Sequence, residues 1–93
     1  MLTPEQIRGA RAMLGLSQAE LANRAGISKT GLTNIERGAS DPKASTLKAI
    51  QRVLEQAGVE FTNGNRPGVR LWDRATRPDE GLRPDQLATE NDG

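Results

Sequence analysis

The chain has no cysteine, no histidine and no tyrosine, and only one phenylalanine and one tryptophan among its 93 residues. Without cysteine there is neither a disulfide framework nor a thiolate metal site. Without histidine the chain lacks the side chain that titrates nearest to neutral pH, which is the usual metal ligand and general base. The carboxylates are joined by no glycine-rich phosphate loop, so we expect no cofactor, no metal and no enzymatic activity.

Long apolar segments are also missing. No stretch approaches the roughly 18 apolar residues that span a bilayer, and Thr3, Pro4 and Glu5 stand where a signal peptide would have basic and apolar residues. We therefore expect a cytoplasmic protein without a membrane partner. A domain of this size buries only about 60 to 65 per cent of its unfolded surface, so dimerisation would supplement a thin core.

Charge is nearly balanced, with a net value of +1, but it is unevenly distributed. Residues 1–58 carry eight basic and five acidic side chains, whereas residues 59–93 carry five basic and seven acidic ones. The positive half is also the half with helical periodicity. A surplus this small fits a nucleic-acid partner but does not identify one by itself.

Four helices are predicted from capping signals and apolar spacing. Thr3 and Gln6 have the spacing of a capping box, and Gly15 ends this first helix. Ser45 or a neighbouring residue caps the fourth helix, which ends at Gly58. The first and fourth helices have apolar residues at helical spacing, namely Ile7, Ala10, Leu14, Leu47, Ile50, Val53 and Leu54.

Residues 17–38 predict two short helices joined by a tight glycine turn. Ser17 caps the first of them, and Gly26 ends it in the left-handed conformation. Ser28 caps the second, which has an apolar stripe of only two residues. Its outer face is polar and is formed by Lys29, Thr30, Thr33 and Asn34. This arrangement is a helix-turn-helix whose second helix has a polar face that is not needed for the core.

The segment resembles the DNA-binding domain of the Cro and phage-repressor (Xre-type, lambda-repressor-like) family of bacterial regulators. The shared features are the SQAELA opening, the AGIS turn, the apolar residues Leu32 and Ile35, and the Glu36-Arg37-Gly38 ending. The resemblance covers residues 1–58 and implies a mainly α, four- to five-helix lambda-repressor-like helix-turn-helix domain. It also implies a sequence-specific transcriptional regulator. The loop after the third helix has Ala39-Ser40-Asp41 where relatives often have Lys or Arg, so we expect modest affinity.

The helix-turn-helix predicts which residues contact double-stranded DNA. Its second helix, about residues 28–37, would enter the major groove, with base contacts from Lys29, Thr30, Thr33 and Asn34. The family has a phosphate-binding glutamine at the position of Gln18, and we expect further phosphate contacts from Ser28, Arg37 and Lys43. The family also pairs an arginine of helix 1 with a glutamate of helix 3, which assigns a structural ion pair to Arg11 and Glu36.

Beyond Gly58 the apolar period changes from helical to alternating. Residues 59–62 and 69–72 predict a short β-hairpin with a loop of about six residues. Its apolar residues either pack on the helices or form a dimer interface, and we favour the dimer interface for Val59, Phe61, Val69 and Leu71. Residues 73–93 are rich in Pro, Asp, Glu, Arg and Gly, which predicts a disordered tail.

Two classes of function follow. The first is a DNA-binding transcriptional regulator that acts as a homodimer, with residues 1–58 as its domain and residues 59–72 as its dimerisation element. The alternative is an antitoxin-like or accessory module, in which the hairpin and tail bind a protein partner. Selecting bound sequences from random DNA would reduce the uncertainty most, because the sequence does not give the operator.

Overall fold

A computed structural model describes residues 2–72, which form four helices and one two-stranded antiparallel sheet. The helices are α1 (Pro4–Leu14), α2 (Gln18–Ala25), α3 (Lys29–Glu36) and α4 (Ala44–Ala57). The strands are β1 (Val59–Thr62) and β2 (Gly68–Leu71). The predicted fold class, a mainly α domain followed by a hairpin, is confirmed. The predicted disordered tail lies outside the described residues.

The N-termini of three of the four helices have the side-chain caps that the sequence predicts. In α1, Gln6 N–H donates to Thr3 Oγ1 at 3.1 Å and Thr3 N–H donates to Gln6 Oε1 at 2.9 Å, which completes the predicted capping box. For α4 the predicted end at Gly58 is confirmed, but the predicted N-cap is wrong. Its N-cap is Lys43 rather than Ser45, and no side chain caps it, because a lysine ammonium offers no acceptor to the helix N–H groups.

One buried cluster joins all four helices to the hairpin. It comprises Leu2, Ile7, Ala10, Leu21, Ala22, Leu32, Ile35, Leu47, Ile50, Leu54 and Val59. Val59 is a strand residue of this cluster, and Phe61 and Val69 pack against it half-buried. Leu71 is 53% exposed. The apolar face of the hairpin therefore lies on the protein's own helices, and its role in a dimer stays a prediction.

The second strand begins one residue earlier than predicted. Phe61 pairs with Val69 and Thr62 pairs with Gly68, so β2 begins at Gly68 and the loop has five residues. A Cβ atom at Gly68 would lie 3.1 Å from Thr62 Oγ1, so a glycine suits this close pairing. Trp72 follows the strand, and its N–H donates to Gly58 O at 2.8 Å.

Gln6 fastens the hairpin to α1. Its side chain is buried, and Nε2 donates to Thr62 O at 2.8 Å and to Gly68 O at 2.9 Å. Farther along the same side of α1, a Cβ atom at Gly9 would meet Val69 Cγ1 at 3.3 Å, so the glycine lets β2 approach the helix. The hairpin therefore shares one packed unit with the helices.

Candidate nucleic-acid interface

A complete capping box begins α2. Glu20 N–H donates to Ser17 Oγ at 3.0 Å, and Ser17 N–H donates to Glu20 Oε1 at 3.0 Å. The bonds from the Ser17 backbone and hydroxyl, and then the charge of Arg24, hold the pKa of the Glu20 carboxyl below its ordinary value of 4.5. Gly26 ends α2 with a φ of 75°, as its position in the sequence predicts. The turn between the two helices is thus fixed by local bonds.

Local bonds also fix both ends of α3. Ser28 Oγ accepts a hydrogen bond from Gly31 N–H at 2.9 Å at the start of the helix. At the other end Gly38 has a φ of 72°, and Ala39 N–H donates to Asn34 O at 2.9 Å. The helix is therefore held in place before any ligand binds.

Arg11 and Glu36 form the ion pair that the resemblance assigns to them. Arg11 Nε donates to Glu36 Oε2 at 2.9 Å, and Arg11 Nη2 donates to Glu36 Oε1 at 3.0 Å. The Glu36 side chain is 2% exposed and that of Arg11 is 24% exposed, so the carboxylate is withdrawn from water. Arg11 Nη1 also donates to Leu16 O at 3.2 Å. The pair joins the end of α3 to α1 and to the start of the helix-turn-helix.

Two further side chains extend this ion pair. Gln18 Nε2 donates to Glu36 Oε1 at 3.0 Å, and Thr33 Oγ1 lies 3.1 Å from Gln18 Oε1. Arg8 Nη1 donates to the backbone carbonyl of Glu36. We did not predict the role of Arg8, although it lies three residues before Arg11 and so on the same side of α1.

The residues expected to contact bases lie together along α3. Lys29 and Thr30 are exposed in its first turn, whereas Thr33 and Asn34 are half-buried one turn later. Three of the four expected phosphate-binding residues, Ser28, Arg37 and Lys43, are exposed, and Gln18 is half-buried at the start of α2. Contact of any of these residues with DNA stays a prediction.

Neither a metal site nor a membrane span is found in residues 2–72. No group of three or more acidic, cysteine or histidine residues is placed to hold a metal ion in this part of the chain. No helix within it has both the length and the apolar character needed to cross a membrane.

Comparison with known families decides what this arrangement is. The model of the family described as "Helix-turn-helix" matches residues 7–60, which is more than half of the chain. The chain belongs to the Xre-type helix-turn-helix family. In this Xre-type protein α2 and α3 are the helix-turn-helix, and the family is one of DNA-binding transcription regulators.

Individual relatives agree with the family assignment. The Xre-type chain is 31% identical over 83 residues to y4dL of Sinorhizobium fredii (strain NBRC 101917 / NGR234), an uncharacterised HTH-type transcriptional regulator. The match covers 88% of this chain but 42% of the relative, so the chain spans about two fifths of that protein's length.

Two solved structures share its fold. The DNA-binding domain of the P22 c2 repressor is 31% identical with a TM-score of 0.55, over 59% of this chain and 72% of that one. The SinR protein/SinI protein complex contains a chain that is 33% identical, also with a TM-score of 0.55, over 58% of this chain and 53% of that one.

Proposed function

We propose that this chain is a sequence-specific transcriptional regulator that inserts α3 into the major groove of DNA as a homodimer. The observation that carries the proposal is the division of α3 into two faces. Leu32, Ile35 and Glu36 are buried against the rest of the domain, whereas Lys29 and Thr30 are exposed at the start of the helix. The N-terminal part of the second helix is the part that meets base edges in helix-turn-helix proteins.

The side chains on the outer face have the chemistry of base recognition. Lys29 can donate to guanine O6 and N7, and the amide of Asn34 can pair with adenine N6 and N7. Thr30 can use its hydroxyl as donor or acceptor, or place its methyl group against that of thymine. We therefore assign base contacts to the exposed face of α3.

Groups at the two ends of the helix-turn-helix suit phosphate binding. The capping box of α2 uses the N–H groups of Ser17 and Glu20, which leaves those of Gln18 and Ala19 for an external acceptor at the positive end of the helix. Arg37 follows α3 and Lys43 precedes α4, and both are exposed cations. The hydroxyl hydrogen of Ser28 is a further donor, because its oxygen acts as the acceptor in the cap.

The length of α3 supports a homodimer. A helix of eight residues contacts too few bases to select one site in a genome, whereas two copies spaced by about 34 to 36 Å contact two half-sites. Among residues 2–72, the large hydrophobic side chains that stay exposed are Met13 on α1 and Leu71 on β2, and Leu71 makes the hairpin a candidate dimer surface.

The test of the proposal is selection of bound sequences from a random DNA pool, followed by titration of affinity against salt. A selected palindrome and a steep negative dependence of log K on log salt are expected, with about −0.9 contributed by each phosphate that is neutralised. Arg37→Ala should reduce the steepness, whereas Lys48→Ala, which removes an exposed charge on α4, should not. Binding that is independent of salt, or absent, would remove the proposal.

The protein-binding alternative has one observation in its favour. One structural neighbour was solved as a complex of two proteins, SinR and SinI. For this chain it would predict that a protein partner binds at the exposed hairpin side while α3 leaves DNA affinity low and independent of sequence. The selection of bound sequences described above separates the two, because only the DNA-binding function predicts a selected sequence whose affinity depends on Lys29 and Asn34.

A further inference from the structure

We infer that Thr33 is a positioning residue that orients Gln18 for a phosphate, and is not itself a base-contacting residue. The inference rests on the proposed DNA-binding function. It replaces the base contact that the sequence predicts for Thr33 from its position in α3. The contacts between Glu36, Gln18 and Thr33 carry it.

The buried carboxylate of Glu36 sets the orientation of the Gln18 amide. An ionised carboxylate can only accept hydrogen bonds, and both of its oxygens already accept from Arg11. The amide group that lies 3.0 Å from Glu36 Oε1 must therefore be the nitrogen, Nε2. The amide oxygen, Oε1, is left facing α3, where it needs a donor.

Thr33 supplies that donor. Its Oγ1 lies 3.1 Å from Gln18 Oε1 and 2.9 Å from Lys29 O, so the single hydroxyl hydrogen has two acceptors within the protein. The hydroxyl is therefore turned toward α2 and toward its own helix, which leaves it no free hydrogen to offer to a base.

The arrangement fixes the direction of one remaining donor. Nε2 carries two hydrogens and Glu36 takes one, so the other is free to meet a phosphate oxygen. Glu36 and Thr33 hold the amide from its two ends, so Gln18 loses little rotamer freedom when it binds. Removal of the Thr33 hydroxyl frees one end of the amide without touching the bond to Glu36.

The experiment compares Thr33→Val, which keeps the shape but loses the hydroxyl, with Thr33→Ser, which keeps the hydroxyl. Affinity is measured on the selected site and on random duplex, in the natural chain and in a Gln18→Ala background. Thr33→Val should weaken both duplexes by the same factor, about threefold to tenfold, as loss of one hydrogen bond predicts. Thr33→Ser should bind normally, and Thr33→Val should add nothing once Gln18 is replaced.

Three outcomes would overturn the inference. A change of base preference at one position in Thr33→Val would make Thr33 a base-contacting residue. Losses that add in the Gln18→Ala background would show that the two residues act independently. Unchanged affinity would show that the hydroxyl has no role in binding. Asn34→Ala is the matched control, since a base contact in the same turn should change preference at one position.

A measurement on the free protein separates this inference from the function on which it rests. The ¹⁵N relaxation of the Gln18 side-chain amide should report a rigid group in the natural chain and in Thr33→Ser, and a mobile one in Thr33→Val. An amide equally rigid in Thr33→Val overturns the positioning role even if DNA binds. If the amide is mobile in Thr33→Val but the natural chain binds no DNA, the contact between Thr33 and Gln18 stands and the proposed function is overturned.

Discussion

Glu36 connects three parts of the domain through one residue. Its carboxylate binds Arg11 of α1 and Gln18 of α2, and its backbone carbonyl accepts from Arg8. A charge that is 2% exposed is tolerated only while it is paired, because removal of one partner leaves the other desolvated without compensation. The orientation of α3 therefore depends on a polar contact as well as on the apolar stripe.

Arg11→Ala should destabilise the fold by about 3 to 5 kcal/mol, because the Glu36 carboxylate would stay buried with only the Gln18 amide bonded to it. The measurement is a double-mutant cycle of Arg11→Ala and Glu36→Ala, in which urea unfolding gives the free energy of unfolding of each variant. Arg24→Ala, which removes an exposed arginine from α2, is the control and should change stability by less than about 0.5 kcal/mol. A coupling energy near zero would contradict the assignment of the pair as structural.

Base-contacting and phosphate-binding residues should differ in how they affect specificity. Lys29→Ala and Asn34→Ala should each cost about 1 to 3 kcal/mol on the selected site and relax preference at one base position. Gln18→Ala should weaken all sequences alike, because a phosphate carries no sequence information. Equal losses on selected and random DNA for the α3 variants would argue against base contact.

At the scale of elements, the helix-turn-helix is held by short-range bonds and the hairpin by long-range ones. The caps at Ser17, Gly26 and Ser28 join residues at most five positions apart, and each was predictable from the sequence. The bonds of Gln6 to the hairpin span 56 and 62 residues. This contrast explains why the sequence predicts the helix-turn-helix in detail but does not predict where the hairpin packs.

Acid should weaken the start of α2. The pKa of Glu20 is lower in the folded protein than its ordinary value of 4.5. The stability that the Glu20 carboxylate contributes is therefore complete above about pH 4.5, and it is lost as the pH falls through the lower folded pKa. Unfolding free energies of the natural chain and Glu20→Gln, measured from pH 7 to pH 3, should therefore converge in acid. Ser17→Ala should reduce this convergence but not abolish it, since it removes the hydroxyl bond and leaves the backbone bond from Ser17 N–H to Glu20 Oε1. A difference that stays constant with pH would contradict it.

The hairpin should loosen when Gln6 is replaced. Gln6→Ala leaves two strand carbonyls without their donor and should cost about 1 to 3 kcal/mol in unfolding free energy. Gln6→Glu keeps an acceptor for Thr3 N–H but places a carboxylate against both carbonyls, so it should be at least as damaging. Gln51→Ala on α4, whose amide contacts an exposed carboxylate, is the control. A normal stability for Gln6→Glu would show that only the cap matters.

The interface residues divide in the same way. Ser28, Lys29 and Arg37 were predictable as exposed, because caps and apolar spacing fix which side of a short helix is free. Thr33 and Arg8 were not, because their partners Gln18 and Glu36 come from other helices. A helical pattern gives the side of the helix on which a hydroxyl lies, but not the acceptor that takes its hydrogen.

At the scale of the whole molecule, the proposed homodimer requires a surface through which two copies bind each other. Val59 belongs to the helical core, so removing the chain after Gly58 would disturb folding as well as association. Exposed positions give a sharper test. Leu71 and Met13 are 53% and 46% exposed, so either can be changed at little cost to the fold.

Leu71→Glu should convert a dimer to a folded monomer in sedimentation, because it places a charge in an apolar contact. Its binding to a palindromic site should fall far more than its binding to one half-site. Asn65→Glu, in the exposed hairpin loop, is the charge-matched control and should stay dimeric. A dimer that persists in Leu71→Glu, or a natural chain that is monomeric on DNA, would contradict a role for Leu71.

The bonds of Gln6 also have a consequence for the order of folding. α2 and α3 can assemble through contacts between near neighbours, whereas the partners of Gln6 are Thr62 and Gly68, which leave the ribosome last among the described elements. The first turn of α1 therefore completes its hydrogen bonds only after the hairpin has formed. Amide hydrogens of that turn and of β1 and β2 should exchange with solvent together, as one unit that opens before the helix-turn-helix does.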